Sequence, residues 1–412
     1  MSKNSIWIVA LTSALLGALV FFPNGRIGQA IAKTWTVDDD GTADFRTINA
    51  AVGAASSGDT IYVRAGLYKE NVLINKPLCL QGENPASTKI DGGSTGSVIQ
   101  VKASHCVISG FTLRNAYGNS YCVVVDRCGH NRICGNVFHG GFFCLYLWFA
   151  SNNLILNNRF SEVFDYGILL GLACNSNIIG GNTVENTWYG IGLWNSSSNI
   201  LYNNTVRNTG RGSHPVKDFE PAGILLYEGS NNNKVTGNTL VNNDWNGIAV
   251  AFYSDGNLIA CNDISSNKYY GAWLGDNSTG NLLKHNMFSN QKQVYADQVS
   301  NTWDEGGEGN WWSDYNGTDA DDNGIGDTPY VINATNIDNC PLMAPWTPPL
   351  LCGDLNSDGS VSIIDLVMAS ASYGLREDQA GWNPQADVAA PYGIITIQDL
   401  TTICYDYGKS HY

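Results

Sequence analysis

Lysine and arginine are scarce in this chain: 22 of 412 residues, against 37 aspartates and glutamates, for a formal net charge of −15. So acidic a chain repels phosphate backbones, which argues against nucleic acid as a partner and favours solubility and cation binding. Methionine (4) and histidine (6) are also few, and no His/Cys set has zinc spacing. The sequence therefore offers neither an obvious copper site nor a zinc site. Charged residues make up only 14% of the chain, yet 43% are hydrophobic, enough for a long core and too many for disorder.

What is abundant is glycine (45) and asparagine, arranged in a repeat. One phrase begins at Asn131, Asn153, Asn177, Asn199, Asn233, Asn257 and Asn281, each followed five residues on by Asn136, Asn158, Asn182, Asn204, Asn238, Asn262 and Asn286. An apolar residue stands two after each asparagine, and the period is about two dozen residues with one insertion. Between the phrases lie short runs such as Tyr166-Gly-Ile-Leu-Leu, Tyr189-Gly-Ile-Gly-Leu and Asn246-Gly-Ile-Ala-Val. These period-2 runs read as strands bounded by turns, and no helix-length segment separates them. A period of this size means stacked units, none able to bury its apolar face alone. The pattern predicts an all-β fold, a right-handed parallel β-helix of about ten coils. Asparagine suits its tight turns because it tolerates the left-handed backbone, and stacked amides can bond from coil to coil. A leucine-rich horseshoe would need a leucine-dominated phrase that is missing.

Residues 1–32 have the form of an export signal: Lys3, an apolar run from Ile6 to Phe22, and Ala30-Ile-Ala32 as a small-x-small cleavage site. An extracellular or cell-surface location is expected; the same run, if uncleaved, is the only membrane anchor the sequence offers. Residues 33–100 supply a cap and the first coils, with an amphipathic helix near Thr47 to Ala55 placed to plug the open end of the core. Residues 101–340 carry the repeats. Several of the eleven cysteines sit at core positions, and Cys122 and Cys144 should stack on neighbouring coils as free thiols.

The opening run Asp44-Phe-Arg-Thr-Ile48, Gly58-Asp-Thr-Ile61 and Gly66-Leu-Tyr-Lys-Glu70 resembles the start of pectin-lyase-like β-helices, pectin methylesterases in particular. The esterase motifs are absent further on, so the resemblance implies scaffold and not activity. The middle is similar to carbohydrate-binding and sugar-hydrolase (CASH) repeats and to the NosD-like family. Gly309-Asn-Trp-Trp-Ser-Asp-Tyr-Asn-Gly through Asp327-Thr-Pro-Tyr330 matches the terminal motif of NosD-like proteins, which implies a periplasmic copper-enzyme maturation factor as one reading. After a Pro-rich linker at 341–351, residues 352–412 resemble a dockerin, from Gly353-Asp-Leu-Asn-Ser-Asp-Gly and Trp382-Asn-Pro-Gln-Ala-Asp. That resemblance implies a cohesin-type protein partner.

Asp354, Asn356, Asp358, Ser360, Ser362 and Asp365 fall at positions 1, 3, 5, 7, 9 and 12 of an EF-hand-type loop with Gly359 at position 6, a spacing that wraps Ca²⁺ in hard oxygen ligands. Asp319, Asp321, Asn323 and Asp327 repeat that spacing and are read as a second calcium loop, against a turn closed by Asp–backbone bonds. Cys352 and Cys404 flank the C-terminal module, where a disulfide between them would clasp it.

Repeat register also suggests a surface. With Gly167, Gly190, Gly223, Gly247 and Gly271 as one stacked position and the residues one and three later in the core, those glycines should face out. Trp148, Trp188, Trp194, Tyr227, Trp245 and Trp273 would flank this strip as a platform for sugar rings, or else simply cover the sheet. Glu220, Asp244 and Lys268 fall on successive coils and form a candidate catalytic set for glycoside hydrolysis or lyase chemistry, or else paired surface charges. The expectation is an exported β-helix that binds polysaccharide and attaches through its C-terminal module, with a polysaccharide-degrading enzyme as the alternative.

Overall fold

A computed structural model of the chain describes residues 32–210 and 221–347, with shorter stretches between 354 and 403; side chains 117–119 are left undescribed. Two compact units are distinguished, Lys33–Trp346 and the one containing Thr347–Tyr412. The first winds as a right-handed parallel β-helix of about 11 turns, one more than the repeats alone suggested. Its first sheet has 11 parallel strands, from Thr34–Val37 to Leu282–Lys284, most of them three residues long. The middle residue of each strand points inward: Ile108, Ile133, Ile155, Ile179, Leu201 and Val235 stack in register, each at most 1% exposed.

The other two faces are split in the first coils, as in Gly66–Tyr68 and Val72–Ile74, and continuous in the middle ones. There a single strand turns the corner, as in Val137–Trp148, Arg159–Gly171 and Thr183–Trp194. Later coils break it into two, for example Thr239–Val241 and Asn246–Val250. Three inward rows result. One contains Phe138, Phe160, Val184, Val206, Leu240, Ile264 and Phe288, with the Phe138 and Phe160 rings stacked 4.4 Å apart. The others contain Ile168, Ile191, Ile224 and Ile248, and Leu170, Leu193, Leu226 and Val250. Parallel register stacks like on like, so one apolar choice per coil builds the whole core.

The repeated asparagines form two buried ladders. Asn136, Asn158, Asn182, Asn204, Asn238, Asn262 and Asn286 each donate Nδ2 to the Oδ1 of the next, at 2.9–3.2 Å, and each Oδ1 also accepts a backbone N–H from the preceding coil. The row ends Asn286→Asn310→Asp338. Direction explains that last residue: every amide passes a donor forward, so the terminus needs an acceptor, which Asp338 Oδ2 supplies. The left-handed backbone is not on the ladder asparagines themselves. It falls on the residue before them, among others Asn157 (φ 54), Gly181 (φ 64), Asn203 (φ 48), Gly237 (φ 63) and Cys261 (φ 58). That kink lets the following amide turn into the interior.

The cap forms as expected. Helix α1, Ile48–Ala54, buries Ile48, Ala51 and Val52; Thr47 accepts from Ala50 N, and Glu70 accepts the Ile48 and Asn49 amides at 2.8 and 2.9 Å. At the far end Trp303 and Trp312 are buried, and Trp312 stacks on Phe288 and Tyr330 at 4.5 and 4.2 Å. Cys122 and Cys144 stack unbonded in the core, their Sγ atoms 3.8 Å apart.

In the second unit, helix α2 spans Ile363–Ala371 and buries Ile364, Val367 and Met368. Asp365 is fully buried and accepts the Leu355 amide at 2.6 Å.

Candidate functional site

The outward row between the two inward rows of the aromatic face reads Tyr146, Leu169, Gly192, Leu225, Ala249, Trp273 and Tyr295. Two residues on, Trp148, Gly171, Trp194 and Tyr227 align. Three residues before positions of that row stand Tyr121, Phe143, Tyr166 and Tyr189. The face is thus an array of rings with coil-to-coil stacking: Tyr121 on Tyr146 at 4.9 Å, Tyr166 on Tyr189 at 4.4 Å and Trp273 on Tyr295 at 5.7 Å.

The glycine floor lies elsewhere than the sequence suggested. A Cβ on Gly167, Gly190 or Gly247 would meet Val184, Val206 or Ile264, all core residues, at 2.4–2.6 Å. These glycines face inward because the strand bends just before them, marked by a register shift between Val163 and Tyr166, so the period-2 alternation restarts. The outward side-chain-free positions are Gly171 and Gly192. A Cβ on Gly171 would fall 2.7 Å from the Tyr146 ring, and one on Gly192 2.4 Å from the Tyr166 ring. Glycine here lets an aromatic ring lie flat on the sheet.

The six expected platform residues therefore divide. Trp148, Trp194, Trp245 and Trp273 are half-buried with exposed surface. Trp188 and Tyr227 are nearly buried, at 8% and 9%, in an outer cluster with Leu225, Ala249 and Ala251 that cements the face. Missed by the sequence reading were Tyr121, Phe143, Tyr146, Tyr166 and Tyr295, and Tyr189, which at 5% exposure joins the buried outer cluster; Tyr121, Phe143, Tyr166 and Tyr189 each stand two before an inward residue, the available signal.

Polar groups border the rings. Glu228 accepts from Trp194 Nε1, and Asp297 accepts from Tyr295 OH at 3.0 Å, which raises the Tyr295 phenol. Asp276 is raised by burial and by the charge of Asp297. Of the candidate catalytic set, Lys268 Nζ lies 2.8 Å from Asp244 Oδ1, with the lysine 70% exposed. Glu220 lies outside the described residues.

In the loop at Asp319, both carboxylate oxygens accept backbone amides, from Asn323 at 3.1 Å and Gly324 at 2.8 Å, which lowers this acid. Asp327 accepts the Ala320 amide and Asn323 Nδ2 bonds Asp321. Of the C-terminal calcium set, Asp354 and Asp365 are described, while Asn356, Asp358, Ser360 and Ser362, and also Cys352 and Cys404, lie outside the described residues. Among the described residues no three His, Cys, Asp or Glu side chains group so as to hold a metal ion, and no helix is long and apolar enough to cross a membrane.

Solved structures with this architecture include a variant catalytic domain of a GH87 α-1,3-glucanase in complex with tetrasaccharides (TM-score 0.54, 16% identity, 68% of this chain and 59% of that one). Others are an alginate lyase from Paenibacillus sp. str. FPU-7 (0.46, 15%, 65% and 99%) and pectate lyase Pel9A (0.46, 15%, 68% and 82%). At such identities the likeness is one of fold. No curated protein matches the chain. The family model described as periplasmic copper-binding protein (NosD) matches residues 52–247 and 215–317, well over half of the sequence and all seven repeats of the asparagine phrase. With asparagine ladders, repeat period and matched span in agreement, the chain belongs to the NosD family.

Proposed function

We propose that this is an exported β-helix protein that binds polysaccharide along the aromatic face, and that its C-terminal module, dockerin-like and calcium-dependent through Asp354, Asn356, Asp358, Ser360 and Asp365, attaches it to a cohesin-type partner. The observation that carries the binding reading is the set of rings held flat and in register over Gly171 and Gly192, flanked by half-exposed Trp148, Trp194 and Trp273. Flat aromatic faces spaced along one strip suit the C–H faces of successive sugar rings, and carboxylates at ring edges suit their hydroxyls. The description of the family as periplasmic and the signal-like residues 1–32 both support export.

Copper, which the family's description names, has no fitting donor set among the described residues. Cys122 and Cys144 are sealed in the core, and the His105 and His130 rings stack on one another 5.1 Å apart. His139 bonds Ser161 and His285 bonds Glu308. Soft-ligand chemistry needs several such groups converging, and here they are dispersed.

The test is a polysaccharide panel with the whole chain, read both as binding and as new chain ends. Binding that weakens roughly five- to thirtyfold in Trp194→Ala and in Trp273→Ala supports the reading; unchanged binding in both sinks it. New ends that disappear in Asp244→Asn and Glu220→Gln would instead make the protein a hydrolase or lyase.

A further inference from the structure

Resting on that reading, we infer that the aromatic face takes an uncharged polysaccharide and discriminates against polyuronates. Each described cation bordering the face is already engaged. Lys268 pairs with Asp244 at 2.8 Å, and Arg127 and Lys102 share Asp126 at 3.3 and 4.0 Å. Lys292 sits over the Tyr269 and Tyr270 rings at 5.3 and 5.2 Å from their centroids. The carboxylates are differently placed. Glu228 and Asp297 accept from the ring edges of Trp194 and Tyr295, two rings of the face itself, and Asp276 lies close enough to Asp297 to be raised by its charge. None of these three has a cation within salt-bridge distance among the described residues, so unpaired negative groups adjoin the platform, while the cations at its border are held in ion pairs or, for Lys292, over rings.

A polyuronate brings one carboxylate per sugar. Laid on this face it meets Glu228, Asp276 and Asp297, with Lys292 the one bordering cation among the described residues that lies outside an ion pair, and like charges side by side suppress the wrong partner. A neutral chain brings hydroxyl donors instead, which carboxylates accept through strong charge-assisted bonds. The same groups that repel one class therefore hold the other.

Affinity electrophoresis of the full chain distinguishes these cases, using gels cast with neutral glycans (β-glucan, glucomannan, xylan) or with polygalacturonate and alginate, at low salt with chelator to prevent metal bridging. The expected result is retardation by at least one neutral glycan, with affinity tenfold or more above either polyuronate. Glu228→Gln with Asp297→Asn should narrow that gap by raising polyuronate affinity several-fold, with an unchanged circular dichroism spectrum. Polyuronate binding as tight as neutral binding, and lost in Trp194→Ala, overturns the charge inference while leaving the platform intact. Retardation by neither class overturns the platform and the inference together.

Discussion

Two outer faces of the solenoid are built by the same rule and come out with different surfaces. On the first sheet the leading outward row runs Val107, Arg132, Leu154, Ile178, Ile200, Lys234, Leu258 and Leu282, aliphatic but for two cations, while the trailing row, from Ser109 to Lys284, varies. On the aromatic face the corresponding row changes at every step, from Tyr146 through Leu169, Gly192, Leu225 and Ala249 to Trp273. Parallel stacking rewards repetition, so a row that repeats is explained by the fold alone. A row that departs from repetition, with rings set over glycines on successive coils, has a shape the fold does not require; on the first sheet Tyr202 over Gly180 is a single such pair.

The sharpest break of this comparison lies in the repeated part. Asn182→Leu leaves the Asn158 amide N–H and Nδ2 without their acceptor and Ile155 O without its donor. Buried unpaired groups of this kind should cost roughly 3 kcal/mol or more, seen as a lowered denaturation midpoint with glycan binding retained in the folded fraction. An unchanged midpoint would mean that the ladders are incidental.

Next comes the ladder's end. Burial raises Asp338 to about 6, outweighing the bonds it accepts from Asn310, Trp312 Nε1 and Cys340. A folded value above the unfolded one means that the protonated acid is favoured by folding. Its contribution is full below about pH 4 and lost as pH rises through about 6, amounting to at most about 3 kcal/mol. Relative to Asp338→Asn, the wild type should therefore lose stability between pH 4 and 7. A difference that stays flat across that window would place the acid at its ordinary value.

A smaller effect, about 1–2 kcal/mol of binding per ring, is expected for Trp194→Ala or Trp273→Ala, against none for Ile178→Ser on the first sheet. Equal losses on both faces in a glycan titration would erase the distinction. Smallest of all, Lys268→Ala should change stability by about 0.5 kcal/mol or less, because exposed ion pairs contribute little.

Much of this was legible in the residues. The five-residue asparagine spacing marked the ladders, and the isoleucines of the Gly-Ile runs proved to be core. What misled was the corner: period-2 counting carries across a straight strand but not across a bend, and nothing in Tyr166-Gly-Ile announces one. Two further ladders went unnoticed although their offsets are constant. Ser196, Ser230, Ser254 and Ser278 stand three before a ladder asparagine and pass backbone bonds from coil to coil. Asn243 and Asn267 stand five after one and join Thr209 to Asn290. Ring orientation was not legible, since it depends on which neighbour on the next coil lacks a side chain.

The asparagine rows also bear on how such a molecule can change length. Since every amide hands its donor forward and receives from behind, removing one whole period, such as residues 233–256, would leave each remaining amide facing an equivalent partner. Only the first and last members are individual. The architecture can therefore be shortened or lengthened by whole turns anywhere before Asp338, and a platform of given span is a matter of how many turns are kept.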